Sequence, residues 1–164
     1  MRDISSYSQY NPARSASYTF VITGQRDISF KLQNAAVSAV QLGGAPFPTR
    51  NVDAMLPGNK MYYDPLVLNF LVSEDLREWI DAYRWMYEVS RQTTLSNDTA
   101  EMTVLNSQNI PIARFVYTGV WPLTVGDLQY TVVGEETVIS CNLSLQFDQF
   151  ILDVIGGEKF NHGN

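Results

Sequence analysis

The strict alternation of residues 139–148 constrains the fold of this chain more than any other feature. Apolar side chains occupy every second position, namely Ile139, Cys141, Leu143, Leu145 and Phe147. The positions between them are polar and almost uncharged, namely Ser140, Asn142, Ser144, Gln146 and Asp148. Because successive side chains of a strand point to opposite faces of a sheet, this period of two predicts a half-buried β-strand. A face in bulk solvent usually carries Lys and Glu, so the polar face of this strand is unusual.

The segment before this strand is rich in residues that form turns. Pro122 has no N–H for a sheet ladder and restricts Trp121 before it, so it predicts the end of a strand. Gly126 followed by Asp127 predicts a turn, because glycine adopts positive φ without strain. Together with Gly119, these residues are expected to define the local fold.

Four further segments have the β-branched and aromatic content of strands. Turn residues join them in pairs and predict two β-hairpins, 18–22 with 28–32 and 101–106 with 110–119. A helix is predicted from Ser73, a good N-cap, to about Val89. Its predicted core stripe has Trp79 at the centre and consists of Leu76, Trp79, Ile80, Tyr83, Met86 and Tyr87.

This order of elements predicts one α+β domain, mainly β, over residues 18–152. We expect an antiparallel β-sandwich or partial barrel with one flanking α-helix and a long extended loop. An N-terminal arm at 1–17 and a loose C-terminal tail at 153–164 flank this domain.

The long segment from Ala45 to Pro65 is the predicted loop. It contains four prolines, but it is too rich in Met, Leu, Val and Tyr for a disordered linker. Loops of this length inside a compact domain are uncommon and usually functional, so we expect it to contact a partner. The candidate contact residues are Arg50, Asn51, Asp53, Met55, Lys60, Met61, Tyr62 and Tyr63.

Little in the composition points to chemistry. The single cysteine excludes an intramolecular disulfide, and the single histidine, His162, is close to the end of the sequence. We therefore predict no enzyme, no metal site and no cofactor. The net charge of −6 disfavours duplex binding, which depends on cationic contacts with phosphate. Charged residues make up 17% of the chain and eight of its eleven basic residues are Arg, a bias typical of protein interfaces.

No stretch approaches the roughly 20 apolar residues of a membrane span, so membrane insertion is not expected. The first residues lack the hydrophobic region of a secretory signal, so Sec export is not expected either.

The motif from Gly119 to Gln129 resembles a segment of the tail tube proteins of contractile-tailed bacteriophages. The resemblance covers roughly residues 35–150 and depends on four features that occur in the same order. They are Arg50-Asn51-Val52 with Gly58-Asn59-Lys60-Met61-Tyr62, the strand into Ser73-Glu74-Asp75 with the Trp79 helix, the hairpin 102–117, and Gly119-Val120-Trp121-Pro122 with Gly126-Asp127-Leu128-Gln129.

This resemblance implies the tail-tube fold and a structural role in a virion. Subunits of that family form hexameric rings whose sheets join edge to edge into a barrel, and the rings stack into a tube that carries DNA. The implied partners are the tail sheath, baseplate and tail terminator proteins, with assembly in the host cytoplasm. The implied place of the polar strand face is the lumen, and the implied place of the long loop is the contact between rings.

Three alternatives stay open from the sequence. A baseplate or tube-initiator protein of the same fold would share these features. A monomeric β-sandwich that binds carbohydrate would expose a row of aromatic side chains. A hydrolase would require a carboxylate pair or a catalytic triad, and the sequence offers neither.

Overall fold

A computed structural model describes residues 18–23, 31–91, 98–134, 137–157 and 159–162. The predicted N-terminal arm at 1–17 lies outside these residues, as do residues 28–30 of the predicted strand at 28–32. Within the described ranges, the chain forms the following elements: β1 (Tyr18–Ile22), β2 (Leu32–Ala35), β3 (Val40–Pro48), β4 (Asp53–Tyr63), β5 (Leu66–Leu71), α1 (Arg77–Arg91), β6 (Thr99–Leu105), β7 (Pro111–Thr118), β8 (Trp121–Val125), β9 (Ser140–Gln146), β10 (Gln149–Val154) and β11 (Lys159–His162).

The strands form three antiparallel sheets. One sheet has five strands in the order β1-β6-β7-β10-β11, and a second has four in the order β2-β5-β9-β8. The third sheet consists of β3 and β4 alone. The described residues are therefore mainly β with one helix, as predicted from the sequence, and their strands do not close into a barrel.

One apolar core joins the two larger sheets. Leu66, Leu68 and Phe70 of β5 are fully buried, as are Leu143 and Leu145 of β9. The other sheet contributes Phe20, Ile22, Met102, Tyr117 and Phe150 to the same cluster. Phe147, between β9 and β10, contacts both Tyr117 and Tyr63 through its ring.

The predicted hairpin of 18–22 with 28–32 lies partly outside the described residues. Within them, β1 pairs with β6, and β2, which begins at Leu32, pairs with β5 in the other sheet. One expectation is wrong: the described part of the predicted loose tail is part of the domain, since β11 pairs with β10. Pairings of this kind satisfy backbone groups at a sheet edge, which local sequence patterns do not reveal.

The helix is rotated from its predicted orientation. Its buried residues are Glu78, Ala82 and Trp85, whereas Tyr83 is exposed and Trp79 is only half-buried. The buried position of Glu78 is possible because the backbone N–H and the hydroxyl of Ser73 both donate to its carboxylate, at 2.8 and 2.6 Å. The helix begins at Arg77, later than predicted, because Leu76 has a left-handed φ of 55°.

Candidate assembly interface

The alternation predicted for β9 is present in the structure. Cys141, Leu143 and Leu145 point into the core, while Ser140 and Asn142 are exposed on the opposite face. Ser144 and Gln146 are half-buried on that same exposed face. Asp148 differs from the prediction, because β9 ends at Gln146 and Asp148 lies in the turn towards β10. The strand therefore presents four of its five predicted polar side chains on one side.

Neighbouring strands extend this polar face across the sheet. Residues directly opposite each other in an antiparallel pair lie on the same face. The register therefore adds Asn34, Val67, Asn69, Leu71, Trp121 and Thr124 to Ser140, Asn142, Ser144 and Gln146, and we call this set the polar face. The amide of Asn69 donates to the side-chain oxygen of Asn142 at 2.8 Å.

The four-stranded sheet carries no charged residue. Asp, Glu, Lys and Arg are all absent from β2, β5, β8 and β9. The outer face of the five-stranded sheet differs, because Arg114 donates to Asp153 at 3.1 Å and lies 3.8 Å from Glu101. The two sheets therefore present surfaces of different electrostatic character.

β2 and β8 are the two edges of the four-stranded sheet. An edge strand has unpaired backbone groups that can pair with another chain. The prediction that Pro122 ends a strand is wrong, because Pro122 lies buried within β8. An edge strand tolerates proline because one of its sides needs no N–H for the ladder.

The predicted turn glycines have different roles from those expected. Gly119, and not Gly126, has a positive φ, at 64°, and a Cβ there would overlap the carboxylate of Asp148. Gly126 instead allows close packing, since a Cβ would lie 2.9 Å from the carbonyl oxygen of Asn142. Its own carbonyl accepts a hydrogen bond from the Trp79 indole at 3.0 Å. Trp121 is half-buried at the edge of the polar face, and Asp127 is exposed after β8.

The predicted long loop is a β-hairpin that projects from the domain. β3 and β4 pair with each other over residues 40–63 and with no other described strand. We call these residues the hairpin arm. Its register shifts at Gly43, where Gly58 packs so closely that a Cβ would lie 2.6 Å from the Gly43 carbonyl oxygen.

Apolar side chains on the hairpin arm are largely exposed. Val52 and Met55 each retain 72% of their accessible surface, and Tyr62 retains 56%. The other exposed apolar side chains are Val40, Leu42, Phe47, Leu56 and Met61. Surfaces of this kind on an isolated chain mark sites of protein contact.

The polar contact candidates on the hairpin arm are exposed too, namely Arg50, Asn51, Asp53 and Lys60. Tyr63 is the exception among the predicted contact residues. It is half-buried at the base, with its ring 5.9 Å from that of Phe147 and 5.4 Å from that of Phe150. Tyr63 therefore attaches the hairpin arm to the core of its own domain.

Sequence reasoning missed the part of the polar face outside β9. Asn34, Asn69 and Thr124 lie in short strands whose other residues are mostly apolar, so their alignment depends on register. The sequence signal that could have identified these residues is the absence of charged side chains from all four strands.

The described residues show no arrangement typical of catalysis. None of them form a cluster of three or more His, Cys, Asp and Glu side chains able to hold a metal ion. Burial raises the pKa of the Cys141 thiol, which disfavours the reactive thiolate. Burial likewise raises the pKa of the Tyr117 phenol. Among the described residues, α1 is too short and too polar to cross a membrane.

Comparison with known proteins gives one curated relative. The chain is 44% identical over 50 residues to the tail tube terminator protein of Enterobacteria phage T4. The match spans 30% of this chain and 28% of the relative. No model of a protein family matches the chain.

Solved structures share the fold over nearly the whole chain. A chain in the tube-terminating cap of the anti-feeding prophage has a TM-score of 0.67 at 10% identity, with 88% of this chain and 92% of that chain covered. A chain in the sheath-tube complex of an extracellular contractile injection system has a TM-score of 0.64 at 12% identity, with 91% and 98% covered. A chain in the six-fold symmetrised baseplate of the anti-feeding prophage has a TM-score of 0.65 at 15% identity, with 88% and 97% covered.

These matches confirm the resemblance to tail tube proteins that the sequence motif indicated. They also show that the chain has the fold found in tubes, caps and baseplates of contractile systems.

Proposed function

We propose that this chain, with its tail-tube fold, is a structural subunit of the inner tail tube of a contractile-tailed bacteriophage. Six copies form a ring, and rings stack into the tube through which DNA passes. The observation that carries this proposal is the uncharged four-stranded sheet with its two open edges. Such a sheet combines a surface suited to a channel with strands suited to ring closure.

Edge pairing gives the ring. β2 of one copy pairs with β8 of the next, so the unpaired backbone groups of both edges are satisfied when the ring closes. A contact between two different surfaces closes into a ring when the rotation from one copy to the next is a whole fraction of a full turn. One of the structural relatives is a six-fold assembly, which supports six copies for this chain as well.

The polar face then lines the lumen. Cationic side chains would hold DNA through its phosphates, and their absence from this face lets DNA slide. Asn and Ser side chains keep the surface hydrated without fixed charge. The negative charge of the whole chain, −6, also opposes retention of DNA.

The hairpin arm stacks the rings. A stable contact buries about 800 Å² on each partner, and the exposed apolar side chains of the hairpin arm supply such a surface. Its self-paired strands are already ordered, so docking costs less conformational entropy than ordering a flexible loop would.

The implied partners follow from this position. The sheath surrounds the tube, and the baseplate and terminator proteins meet its two ends in the virion. The subunit has no catalytic role and uses no cofactor, and it reaches the virion after assembly in the host cytoplasm.

The second candidate is a ring that ends the tube. The match to the phage T4 tail tube terminator favours it, as does the structural likeness to the cap of the anti-feeding prophage. A baseplate ring or tube initiator of the same fold is supported by the likeness to a baseplate chain. A terminal protein would form one ring in each tail, whereas a tube subunit would repeat along its length.

Removal of residues 45–56 tests the tube proposal. Ala45 pairs with Leu56, so a short turn between Gly44 and Pro57 shortens the hairpin arm without changing the remaining register. We expect wild-type protein to form stacked tubes in electron micrographs and the shortened protein to remain folded single rings. Single rings from the wild type would favour the terminal-ring function, and tubes of normal length from the shortened protein would contradict a stacking role.

A further inference from the structure

A cleft opens beside the start of α1, at the end of the domain where β5 ends and β9 begins. One wall is the turn that joins β5 to α1, and the other comprises Tyr130 and residues 137–139. The cleft has a volume of about 620 Å³, which is typical of clefts that bury most of a bound ligand. We call the surface formed by these residues the α1 cleft.

Much of the α1 cleft is apolar and uncovered. Val138 keeps 73% of its accessible surface and Tyr130 keeps 68%. The other apolar residues that line it are Val72, Leu76 and Ile139. Exposed apolar surface that is grouped in one concave place indicates a contact, because it loses free energy only when something covers it.

Charge does not select the occupant of the α1 cleft. The exposed Glu74 lies on one wall, but Lys31 donates a hydrogen bond to Ser73 on the same wall at 3.1 Å. Charges of both signs therefore surround the apolar surface. We expect an occupant with large apolar side chains and little net charge.

β1 begins close to the α1 cleft. The hydroxyl of Tyr18, the first residue of β1, donates to the carbonyl oxygen of Gln33 at 3.2 Å. Lys31 is only two residues from Gln33, about 7 Å along an extended chain. Lys31 contacts Ser73 in the cleft wall, and its carbonyl oxygen accepts a hydrogen bond from the N–H of Leu71 at the end of β5. Tyr18 therefore lies at the end of the domain where the cleft opens.

The sequence before Tyr18 has the composition that the α1 cleft requires. Residues 1–17 lie outside the described residues, and 17 residues can span up to about 56 Å. Large apolar side chains occur at every third position, as Ile4, Tyr7 and Tyr10. The charged side chains of this segment are Arg2, Asp3 and Arg14, with a net charge of one.

We propose that residues 1–17 bind in the α1 cleft of their own chain, with Tyr7 and Tyr10 against Tyr130 and Val138. Tyr10 is eight residues from Tyr18, and so short a tether gives an effective concentration in the millimolar range. The bound segment covers apolar surface that would otherwise associate with other proteins. The site requires neither ring closure nor stacking, so it stands or fails independently of the proposed tube function.

Thiol labelling of the full chain tests this site. The variant Val138→Cys places a thiol on the rim of the α1 cleft, and the rate of its reaction with a maleimide reports its accessibility. Native Cys141 is buried and does not compete. We expect the replacement of Ile4, Tyr7 and Tyr10 by serine to accelerate labelling about tenfold, the ratio for a cleft that is open in about a tenth of the molecules.

The matched control for labelling is Val52→Cys. Val52 is as exposed as Val138, at 72%, but it lies on the hairpin arm, which precedes the opposite end of β5. Its labelling rate should be the same with and without the three serine replacements. A labelling rate of Val138→Cys that does not change with these replacements would overturn the proposal.

Disulfide formation provides a second test that leaves the three apolar side chains in place. In Ser8→Cys with Val138→Cys, we expect mild oxidation of dilute protein to give a bond within one chain. This bond should form about tenfold faster than in Ser8→Cys with Val52→Cys, because binding raises the effective concentration of the two thiols. Equal rates would contradict the site. Disulfide-linked dimers in place of the bond within one chain would show that another copy supplies the segment, and would overturn the proposal.

Discussion

Replacing Trp85 by alanine should destabilise the domain far more than replacing Trp79. Trp85 keeps only 4% of its accessible surface, and its indole nitrogen donates to the carboxylate of Asp98 at 2.8 Å. Trp79 is half-buried beside the exposed Tyr83, with its ring stacked 5.6 Å from the tyrosine ring. The comparison therefore tests which side of α1 faces the core.

The expected magnitudes follow from burial and hydrogen bonding. Truncation of a buried aromatic residue to alanine costs about 3–5 kcal/mol, and Trp85 also loses a hydrogen bond to a charged group. We expect a loss of about 5 kcal/mol for Trp85→Ala. Trp79→Ala removes less apolar contact and one neutral hydrogen bond, so we expect about 2 kcal/mol.

Urea unfolding followed by circular dichroism measures both values. The slope of free energy against urea should be the same for the variants and the wild type, so that the midpoints report stability alone. If Trp85→Ala does not fold, Trp85→Phe and Trp79→Phe provide the same comparison with a smaller loss of stability. An equal or greater loss at Trp79 would show that α1 faces the core with the side that its sequence pattern predicts.

Three further outcomes are expected. Replacing Ser144 and Gln146 by lysine should leave assembly intact but make the particles retain DNA in low salt, as measured by co-sedimentation; the same two lysines on the exposed face of α1 should not. Burial alone would raise the pKa of Glu78, but the hydrogen bonds that its carboxylate accepts lower this pKa below 4.5. The ionised carboxylate therefore stabilises the fold above pH 4.5, and this stabilisation is lost as the pH falls through the lowered pKa. The urea midpoint of Glu78→Gln should lack this part of the acid dependence. Gly119→Ala should destabilise the fold by at least about 1–2 kcal/mol, because alanine is strained in a left-handed conformation. The overlap of its Cβ with Asp148 adds to this loss. A thermal midpoint equal to that of the wild type would contradict the prediction.

The elements predicted correctly are those that local patterns determine. The faces of β9 follow from a period of two, and the presence of a helix after β5 follows from its helical spacing of apolar residues, although its first residue and its buried side differ from the prediction. The rotation of α1 could not be predicted, because the burial of Glu78 depends on partners outside the helix, namely two hydrogen bonds from Ser73 and the Lys31 ammonium at 3.9 Å. The pairing of β1 with β6 joins residues about 80 positions apart, and no local signal encodes it.

The secondary structure predicted for the hairpin arm is wrong, while its contact with a partner stays a prediction. Its prolines suggested a loop, but Pro46 and Pro57 lie inside strands. Both strands of a two-stranded sheet are edges, so each proline can direct its missing N–H away from the ladder. The exposed apolar residues in the same segment still indicated a contact surface.

A cryo-electron microscopy reconstruction of the purified, assembled protein tests the central claim most directly. We expect rings of six copies in which β2 and β8 of neighbouring copies pair, with Asn142 and Ser144 facing the axis. A lumen lined by the charged face that carries Arg114, or protein that stays monomeric at every concentration, would contradict the account.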